Sequence, residues 1–402
     1  MLISRLLANR QVSLFFSILA VAVCLRGPIT GVGPLLQEIQ SYLGLNNTAA
    51  GILATLPLLA FAGFSLFAPK LALRFGTENT LLAALGLLII GILWRSAGGS
   101  WAVYLGTALL SMAIAVGNVL IPGLVKQHYP LQVGLITALY ALTMNLGGAA
   151  GSAVSVPLSE EWQWGWRSAL AVWAIPGMLA LLIWVTQVVA VKSMPSTVQA
   201  DHAQHPLAKI SLWRNPLAWM VTLFMGLQSL MFYTLLSWLP HILAEEGISA
   251  TQAGAMLGMM QVVVLPITLI TPILASKLRH QQWLGVVCGM ILVLSMVVFV
   301  AHWSAWYFTA VLWLGVGMGG AFSLSMMLFG LRSDSITEAA ALSGMAQAVG
   351  YLLAACGPVL FGLLHDWTHS WIYPLVLLLL VSVLIAVTGY FAGRDRKLAF
   401  YR

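Results

Sequence analysis

Charged side chains are scarce in this 402-residue chain, and their scarcity excludes a soluble globular fold. Lysine, arginine, aspartate and glutamate make up 7% of the residues, whereas 60% of the residues are hydrophobic. A soluble domain carries about 25% charged residues. A helix needs about 20 consecutive apolar residues to cross the hydrocarbon core of a bilayer. Because many such runs follow one another, the composition predicts a protein that crosses a membrane many times.

Cysteine is also rare, and its placement argues against disulfide bonds and metal centres. The three cysteines, Cys24, Cys288 and Cys356, each fall inside an apolar run and show no CxxC spacing. Such cysteines are typical of small core residues. All eight histidines fall in predicted loops or at helix ends, so no catalytic pair is expected at membrane depth. No ATP-binding loop is present either. We therefore expect no metal, no cofactor and no enzymatic activity.

Twelve apolar runs are long enough to cross a bilayer with some tilt. In lipid only helices and closed barrels satisfy the backbone, and these runs are too long for barrel strands. The sequence thus predicts an all-α membrane protein with twelve transmembrane helices. The expected spans are 12–38, 47–73, 79–97, 101–127, 131–157, 167–191, 216–241, 249–276, 282–301, 303–331, 337–364 and 371–392.

One polar segment divides these spans into six and six. Residues 193–215, "SMPSTVQADHAQHPLAKISLWRN", predict a cytoplasmic linker between an N-terminal bundle, 1–192, and a C-terminal bundle, 216–402. With both termini in the cytoplasm, the lysines and arginines fall in inner segments, as the positive-inside rule requires, except for Arg95 and Arg167 at the outer ends of spans and for Arg26. This topology accounts for the net charge of +7 without a nucleic acid partner. The linker is too short for the soluble domain of a membrane sensor.

The two halves resemble each other at a constant offset of 206 residues (240 − 34). Pro34 and Pro240 each precede a polar loop that leads to a threonine three residues before a glycine. At the same offset, "TALYALTMNLGGAAGS" lies over "SGMAQAVGYLLAACGP" and pairs Gly151 with Gly357. Small residues let helices pack closely in membranes. A duplicated six-span half is typical of transporters in which one half moves against the other.

Several longer motifs add a family resemblance that covers the whole chain. They are "RGPITGVGPLL", "ATLPLLAFAGF", "GNVLIPGLVK", "NPLAWMVTLF", "AALSGMAQAVGYLLAACGP" and the terminal "AGRD". With the six-plus-six layout, the chain resembles the major facilitator superfamily. Within it, these motifs look like the cyanate and nitroimidazole transporter branch (CynX/NimT), and more like its nitroimidazole members.

The resemblance implies two pseudo-symmetric six-helix bundles in a bacterial inner membrane. It also implies a monomeric secondary transporter that moves a cyanate-like anion or a nitroimidazole-like compound by alternating access, with proton coupling. The sequence shows no mid-span carboxylate for that coupling; its nearest acidic residues, Glu38, Glu245 and Glu338, lie at helix ends. Facilitated diffusion, anion exchange and efflux of a drug or metabolite stay open.

One superfamily motif departs from its usual pattern. In the loop after the second span, "PKLALRFG", the gating residues Arg74 and Gly76 are present, but Pro69 replaces the first glycine and Leu73 replaces the aspartate. The resemblance gives that aspartate a part in the inward gate, so its loss leaves Glu78 as the nearest substitute.

Arg26 is the charge that the sequence places deepest in a span, about 20 Å along the first helix. A charge in lipid is costly and usually faces a water-filled cavity. Because no acidic residue lies at mid-span to pair with Arg26, we expect a substrate group, water or a counter-ion to do so. The planar guanidinium matches carboxylate and nitro groups. Snorkelling toward the outer interface and a packing role are the alternatives.

Other polar and aromatic residues at mid-span depth complete the predicted binding site. At the 206-residue offset Arg26 aligns with Phe232, so the second half offers an aromatic ring where the first offers a charge. Spans 3, 6, 9 and 12 are almost purely apolar, which favours four outer supports around eight cavity-lining helices. Hydrogen bonding between helices is the alternative for each polar residue. The candidate substrate-binding residues are Arg26, Thr30, Asn118, Tyr140, Asn145, Gln228, Tyr233, Trp238, Gln261, Gln347 and Tyr351.

Overall fold

A computed structural model describes residues 2–45, 47–192 and 212–398. Within these ranges every regular element is a helix. The first half contains α1 (Leu2–Cys24), α2 (Gly27–Thr30), α3 (Val32–Leu43), α4 (Asn47–Phe64), α5 (Ala68–Phe75), α6 (Thr77–Ala97), α7 (Ser100–His128), α8 (Val133–Val156) with a π-helical end (Pro157–Glu161), α9 (Gly165–Ala171) and α10 (Ala174–Lys192). The second half contains α11 (Pro216–Glu245), α12 (Ala250–Lys277), α13 (Gln282–Val300), α14 (Tyr307–Leu331), α15 (Ile336–Thr368) and α16 (Ile372–Ala392), with short 3₁₀ turns at Leu212–Arg214 and Ser304–Trp306.

The described residues contain eleven helical segments that are long and apolar enough to cross a membrane. A twelfth span results if the bent pair Thr55–Phe64 and Ala68–Phe75, which meet at 49°, counts as one. The predicted all-α fold with twelve transmembrane helices is therefore confirmed. The second span was expected as one helix, 47–73, and it is broken instead. Pro69 follows the break; a proline removes one backbone hydrogen bond of a helix, and its ring clashes with the carbonyl four residues earlier.

The chain divides into two compact units. The first comprises Met1–Pro130 and Leu139–Lys209, and the second comprises Leu131–Ala138 and Ile210–Arg402. Most of the predicted linker, residues 193–211, lies outside the described residues. The domain boundaries at 192 and 216 stay predictions.

Several helix starts in the second half have local explanations in the sequence. Asn215 caps α11, since its side-chain oxygen accepts hydrogen bonds from the amides of Leu217 (2.9 Å) and Ala218 (3.2 Å). Pro216 follows at the first helical position, where the missing N–H costs nothing. Ser249 and Gln252 form a capping box at the start of α12. These signals fix where α11 and α12 begin.

Glycines bring the helices of each unit into close contact. In the first unit a Cβ on Gly91 of α6 would lie 2.6 Å from the amide nitrogen of Leu110 on α7. In the second unit Gly226 of α11 and Gly350 of α15 face each other, because a Cβ on Gly226 would lie 2.9 Å from the Cα of Gly350. Close helix packing in membranes depends on such small residues.

The end of α14 is tied to the C-terminal segment of the chain. Arg332 is buried, and its Nε donates to the carbonyl of Ala392 (2.9 Å) while its Nη2 donates to the Oε1 of Gln281. The amide of Leu398 donates to the Arg332 carbonyl (2.9 Å), and the Leu398 side chain is buried. Burial lowers the pKa of Arg332 to about 10, so the guanidinium is still protonated at neutral pH. The C-terminal segment is therefore part of the packed second unit.

Candidate functional site

The first membrane span is interrupted where the sequence reads "CLRGPITGVGP". Helix α1 ends at Cys24, Leu25 and Arg26 form a turn, α2 is a single turn over Gly27–Thr30, and Gly31 separates it from α3. Pro28 lacks an N–H and its ring clashes with the preceding turn of a helix. Arg26 stands at the break with φ −131° and ψ −40°, as the N-cap of α2. The break sets the backbone position of the one charge predicted to lie deep in this span.

Arg26 is half-buried and is held by α8. Its Nη1 donates a hydrogen bond to the Oδ1 of Asn145. Its aliphatic stem lies over Gly148, where a Cβ would come within 3.2 Å of the Arg26 Cδ. A substrate group, water or a counter-ion was expected as the partner of Arg26, and the structure adds an amide of the chain itself. An amide is neutral, so this contact leaves the positive charge of Arg26 in place.

Thr30 joins α2 to the same region of α8. Its hydroxyl donates to the carbonyl of Gly148 (2.7 Å), and the hydroxyl of Ser152 donates to the carbonyl of Thr30 (3.3 Å). Gly151 completes the contact, since a Cβ there would lie 3.0 Å from the Cα of Gly27. These bonds fix the interrupted span against α8, and they give Thr30 a role in joining the two helices.

Tyr140 and Asn118 extend the polar region from α8 to α7. The Tyr140 hydroxyl donates to the Oδ1 of Asn118 (3.2 Å), and both side chains are buried. The Tyr140 hydroxyl is also within electrostatic reach of the Arg26 guanidinium. The structure therefore brings four of the predicted residues together in the first unit. We call this group, Arg26, Asn118, Tyr140 and Asn145, the Arg26 cluster.

In the second unit three predicted residues lie beside the contact between α11 and α15. Gln228 is buried and donates to the hydroxyl of Ser229 (2.7 Å). Gln347 is also buried, and its Nε2 donates to the hydroxyl of Ser343 (2.8 Å). No described residue donates to the Oε1 of Gln347. Tyr351 follows one turn later and is 6% exposed. These positions carry amides and a phenol but no charge.

The remaining predicted residues of the second unit have other surroundings. The Nε1 of Trp238 donates to the carbonyl of Pro358 (2.9 Å), and its ring packs on Trp371 at a centroid distance of 5.4 Å. Tyr233 packs edge-to-face on Phe232 at 5.3 Å. Gln261 is exposed on the surface of its unit. Trp238 thus joins α11 to α15, and the structure does not bring Gln261 to the other predicted residues of this unit.

The predicted gating residues lie at the junction of α5 and α6. Arg74 is exposed, and its guanidinium lies 5.2 Å from the ring centroid of Phe75. Gly76 adopts φ +84°, which is a conformation that glycine adopts readily. Among the described residues no carboxylate pairs with Arg74. The backbone carbonyl of Glu78 accepts from the Nε1 of Trp184 (2.9 Å).

The residue that the sequence analysis missed is Arg95. It was assigned to the outer end of its span, whereas the structure buries its side chain completely in the first unit. Its Nη1 donates to the carbonyl of Pro28 (2.7 Å), so it contacts the turn that carries Arg26. Its position two residues before the end of α6 gave no signal in the sequence, because the same position suits a solvated arginine.

Comparisons with known proteins identify the family. The sequence profile of the Major Facilitator Superfamily matches residues 14–355. The chain is 41% identical to the uncharacterized transporter YycB of Bacillus subtilis over 394 residues, 96% of each protein. It is 40% identical to the 2-nitroimidazole transporter of Escherichia coli, covering 97% of this chain and 98% of that one. It is 26% identical to the cyanate transport protein CynX of Escherichia coli, covering 88% and 90%.

The fold comparison agrees with the sequence comparisons. The structure of the proton:xylose symporter XylE superimposes with a TM-score of 0.80 over 97% of each chain, at 13% identity. This similarity shows the fold, and the sequence relatives show the class of protein. The chain is thus a multi-pass membrane protein and a secondary transporter of small solutes, and not an enzyme. It belongs to the major facilitator superfamily and, within it, to the cyanate and nitroimidazole transporter (CynX/NimT) family.

Proposed function

We propose that this transporter moves a small, flat solute that carries a negative or strongly polar oxygen group, and that Arg26 binds this group. Two relatives are named as transporters of 2-nitroimidazole and of cyanate, one a flat nitro-substituted ring and the other a small anion. A guanidinium suits both, because its planar array of N–H donors matches oxygen pairs and anions. The observation that carries the proposal is the position of Arg26 at the break of the first span.

The surroundings of Arg26 support a binding role. Its partner in α8, Asn145, orients the guanidinium without neutralising it. The Nδ2 of Asn145 is buried, and no described residue accepts from it. A buried amide donor without an acceptor is costly. An oxygen of the substrate that bonds to both Arg26 and the Asn145 amide would remove this cost, so the site favours ligands rich in acceptors.

We further propose alternating access between the two halves in a bacterial inner membrane, with both termini in the cytoplasm and a monomeric protein. Proton coupling is the mode that the family resemblance favours. Anion exchange is a second candidate, because the acidic residue Glu38 is already used within the protein and so is less suited to carry a proton. Its carboxylate accepts hydrogen bonds from the Ser159 hydroxyl (2.6 Å) and the Trp166 amide (3.1 Å). Accumulation in proteoliposomes driven by a pH gradient would support the first mode. Stimulation only by an anion on the opposite side would support the second.

Substitution of Arg26 tests the binding role. We expect Arg26→Ala to weaken binding of 2-nitroimidazole or cyanate by roughly tenfold to a hundredfold, since a charged hydrogen bond contributes about 1.5–3 kcal/mol. Arg26→Lys should also bind poorly, because lysine keeps the charge but lacks the planar donor array. The measurement is equilibrium binding to the purified protein, with the melting temperature as a control for folding.

Arg279→Lys is the matched control for these variants. Arg279 has a side chain 85% exposed beside Asp395 in the second unit, so the same chemical change there should leave binding at the wild-type level. Wild-type affinity in both Arg26 variants would remove Arg26 from the site. Tolerance of lysine together with loss in the alanine variant would mean that only the charge matters.

A further inference from the structure

The guanidinium of Arg95 has buried hydrogen-bond donors without acceptors in the interior of the first unit. Its side chain has no exposed surface, and one of its donors, Nη1, is used by the carbonyl of Pro28. The Nε and Nη2 atoms are also buried, and neither has an acceptor among the described residues. In a guanidinium these two nitrogens form the edge whose parallel N–H bonds bind carboxylates and similar anions in a bidentate manner. The free edge is therefore the one suited to an anion.

The charge of Arg95 also lacks a counter-charge. No described carboxylate forms an ion pair with it. An isolated buried cation is strongly disfavoured in a protein interior, and in membranes such residues pair with other groups. Arginine is the basic side chain that keeps its charge in such surroundings. Both the geometry and the charge of this site therefore call for a negatively charged partner.

A second donor near the same turn has the same deficiency. The ring of Trp173 lies against Gly27, the residue before Pro28, and its Nε1 is buried without an acceptor among the described residues. Two residues beside α2 thus carry buried donors without acceptors. Water donates as well as accepts, so it satisfies such a surplus less fully than an anion does.

We propose that the Nε–Nη2 edge of Arg95 binds a small inorganic anion, a halide or a planar oxyanion the size of nitrate. This anion would be held inside the first unit as part of its structure, separately from the solute bound at Arg26. Arg95 lies two residues before the end of α6 at Ala97, so the anion would be held near the end of this span. Through the bond to Pro28 it would stabilise the turn that carries Arg26. The proposal does not depend on the transported substrate.

An anion titration of the purified protein tests this site. The protein is prepared in gluconate, an anion too large for an enclosed site, and chloride or nitrate replaces gluconate at constant ionic strength. We expect a saturable rise in melting temperature of about 2–4 °C. Nitrate should act at lower concentration than chloride, because two of its oxygens engage both N–H groups. The rise should persist in Arg26→Gln and disappear in Arg95→Met.

The Arg95→Lys variant tests whether anion binding depends on the planar donor edge or only on the positive charge. Lysine provides no bidentate edge, so this variant should respond to chloride but lose the preference for nitrate. If Arg95→Met does not fold, equilibrium dialysis with radioactive chloride replaces it, and a bound ion should persist in Arg26→Gln. The proposal is overturned if the wild type shows no saturable response. It is also overturned if the response disappears in Arg26→Gln, which would assign the anion to the solute site.

Discussion

The first spans of the two halves are equivalent in sequence but differ in structure. The first, α1 to α3, breaks at Leu25–Arg26 and again at Gly31, whereas α11 continues without interruption over Pro216–Glu245. Pro34 and Pro240 occupy matching positions, and α11 accommodates its proline. The break therefore does not follow from this shared proline. It follows from Gly27 and Pro28, which align with Tyr233 and Thr234 in the second half.

The side chains at these positions differ in the same way. Arg26 and its partner Asn145 align with Phe232 and Tyr351, so a charged, hydrogen-bonded pair in one half corresponds to two aromatic residues in the other. A helix break and a neutral amide partner accompany the charge where it occurs. This comparison indicates that an arginine is tolerated at this depth only where the backbone and the neighbouring helix are adapted to it.

Moving the charge to the second half is expected to have the largest effect. Phe232→Arg places a guanidinium in an unbroken helix, and the position that aligns with Asn145 is a tyrosine there. The expected cost is about 2.5–3.5 kcal/mol for a charge at mid-span. The variant should be expressed poorly and melt at lower temperature than Phe232→Leu, the apolar control. When Phe232→Arg is combined with Arg26→Ala, the double variant should not recover solute binding. Restored binding with normal stability would show that the two halves are interchangeable here.

Gly151 and Gly357, which align at the 206-residue offset, provide a test with an intermediate expected effect on stability. A Cβ on Gly151 would lie 2.4 Å from the carbonyl oxygen of Gly27, whose backbone cannot move without displacing α2. A Cβ on Gly357 meets chiefly the hydroxyl of Thr234 and the side chain of Leu230, and the nearest backbone atom, the Leu230 carbonyl oxygen, is 3.3 Å away. We expect Gly151→Ala to destabilise the protein by about 1–3 kcal/mol, the range for overpacking. Gly357→Ala should cost less. Denaturation in detergent measures both, and equal losses would contradict the difference assigned to the break.

Two tryptophans that each cover a glycine give the smallest expected effect. Trp238 lies over Gly362 and donates to the Pro358 carbonyl, whereas Trp173 lies over Gly27 with an unsatisfied Nε1. Replacement by phenylalanine removes similar ring area in both cases but breaks a hydrogen bond only in α11. Trp238→Phe should therefore lower stability by about 0.5–1.5 kcal/mol more than Trp173→Phe. The reverse order in melting temperatures would indicate that Trp173 has an acceptor.

Much of the fold could be predicted because the apolar length of a membrane span is a property of a whole segment. The breaks depend on single residues and were harder to place. The sequence analysis noted Pro69 in its motif but did not predict the bend before it. A proline alone does not predict a bend, since prolines within α11 and α12 leave those helices continuous. Whether a proline breaks a membrane helix depends on neighbouring helices that satisfy the released backbone groups.

The candidate site could be predicted only in part. Arg26 and Asn145 stand out as polar residues in apolar spans, and the structure joins them. Trp238 has the same sequence signal, but its donor is directed to a carbonyl of α15. Arg95 gave no signal, because periodicity in an apolar helix does not distinguish a residue near the water from one that is buried inside the unit. The sequence gives the depth of a residue along its helix, but it does not give the direction in which its side chain points.

The bonds of Arg332 have a consequence for the order in which the protein is made. Arg95 donates to Pro28, which leaves the ribosome 67 residues earlier, so its acceptor is present when it is synthesised. Arg332 donates to Ala392, which is synthesised 60 residues later. Until then Gln281 is the partner that the nascent chain can offer it. The first half can therefore complete its buried arginine contact during translation, whereas the second half must wait for the last helix and for Leu398, whose amide donates to the Arg332 carbonyl.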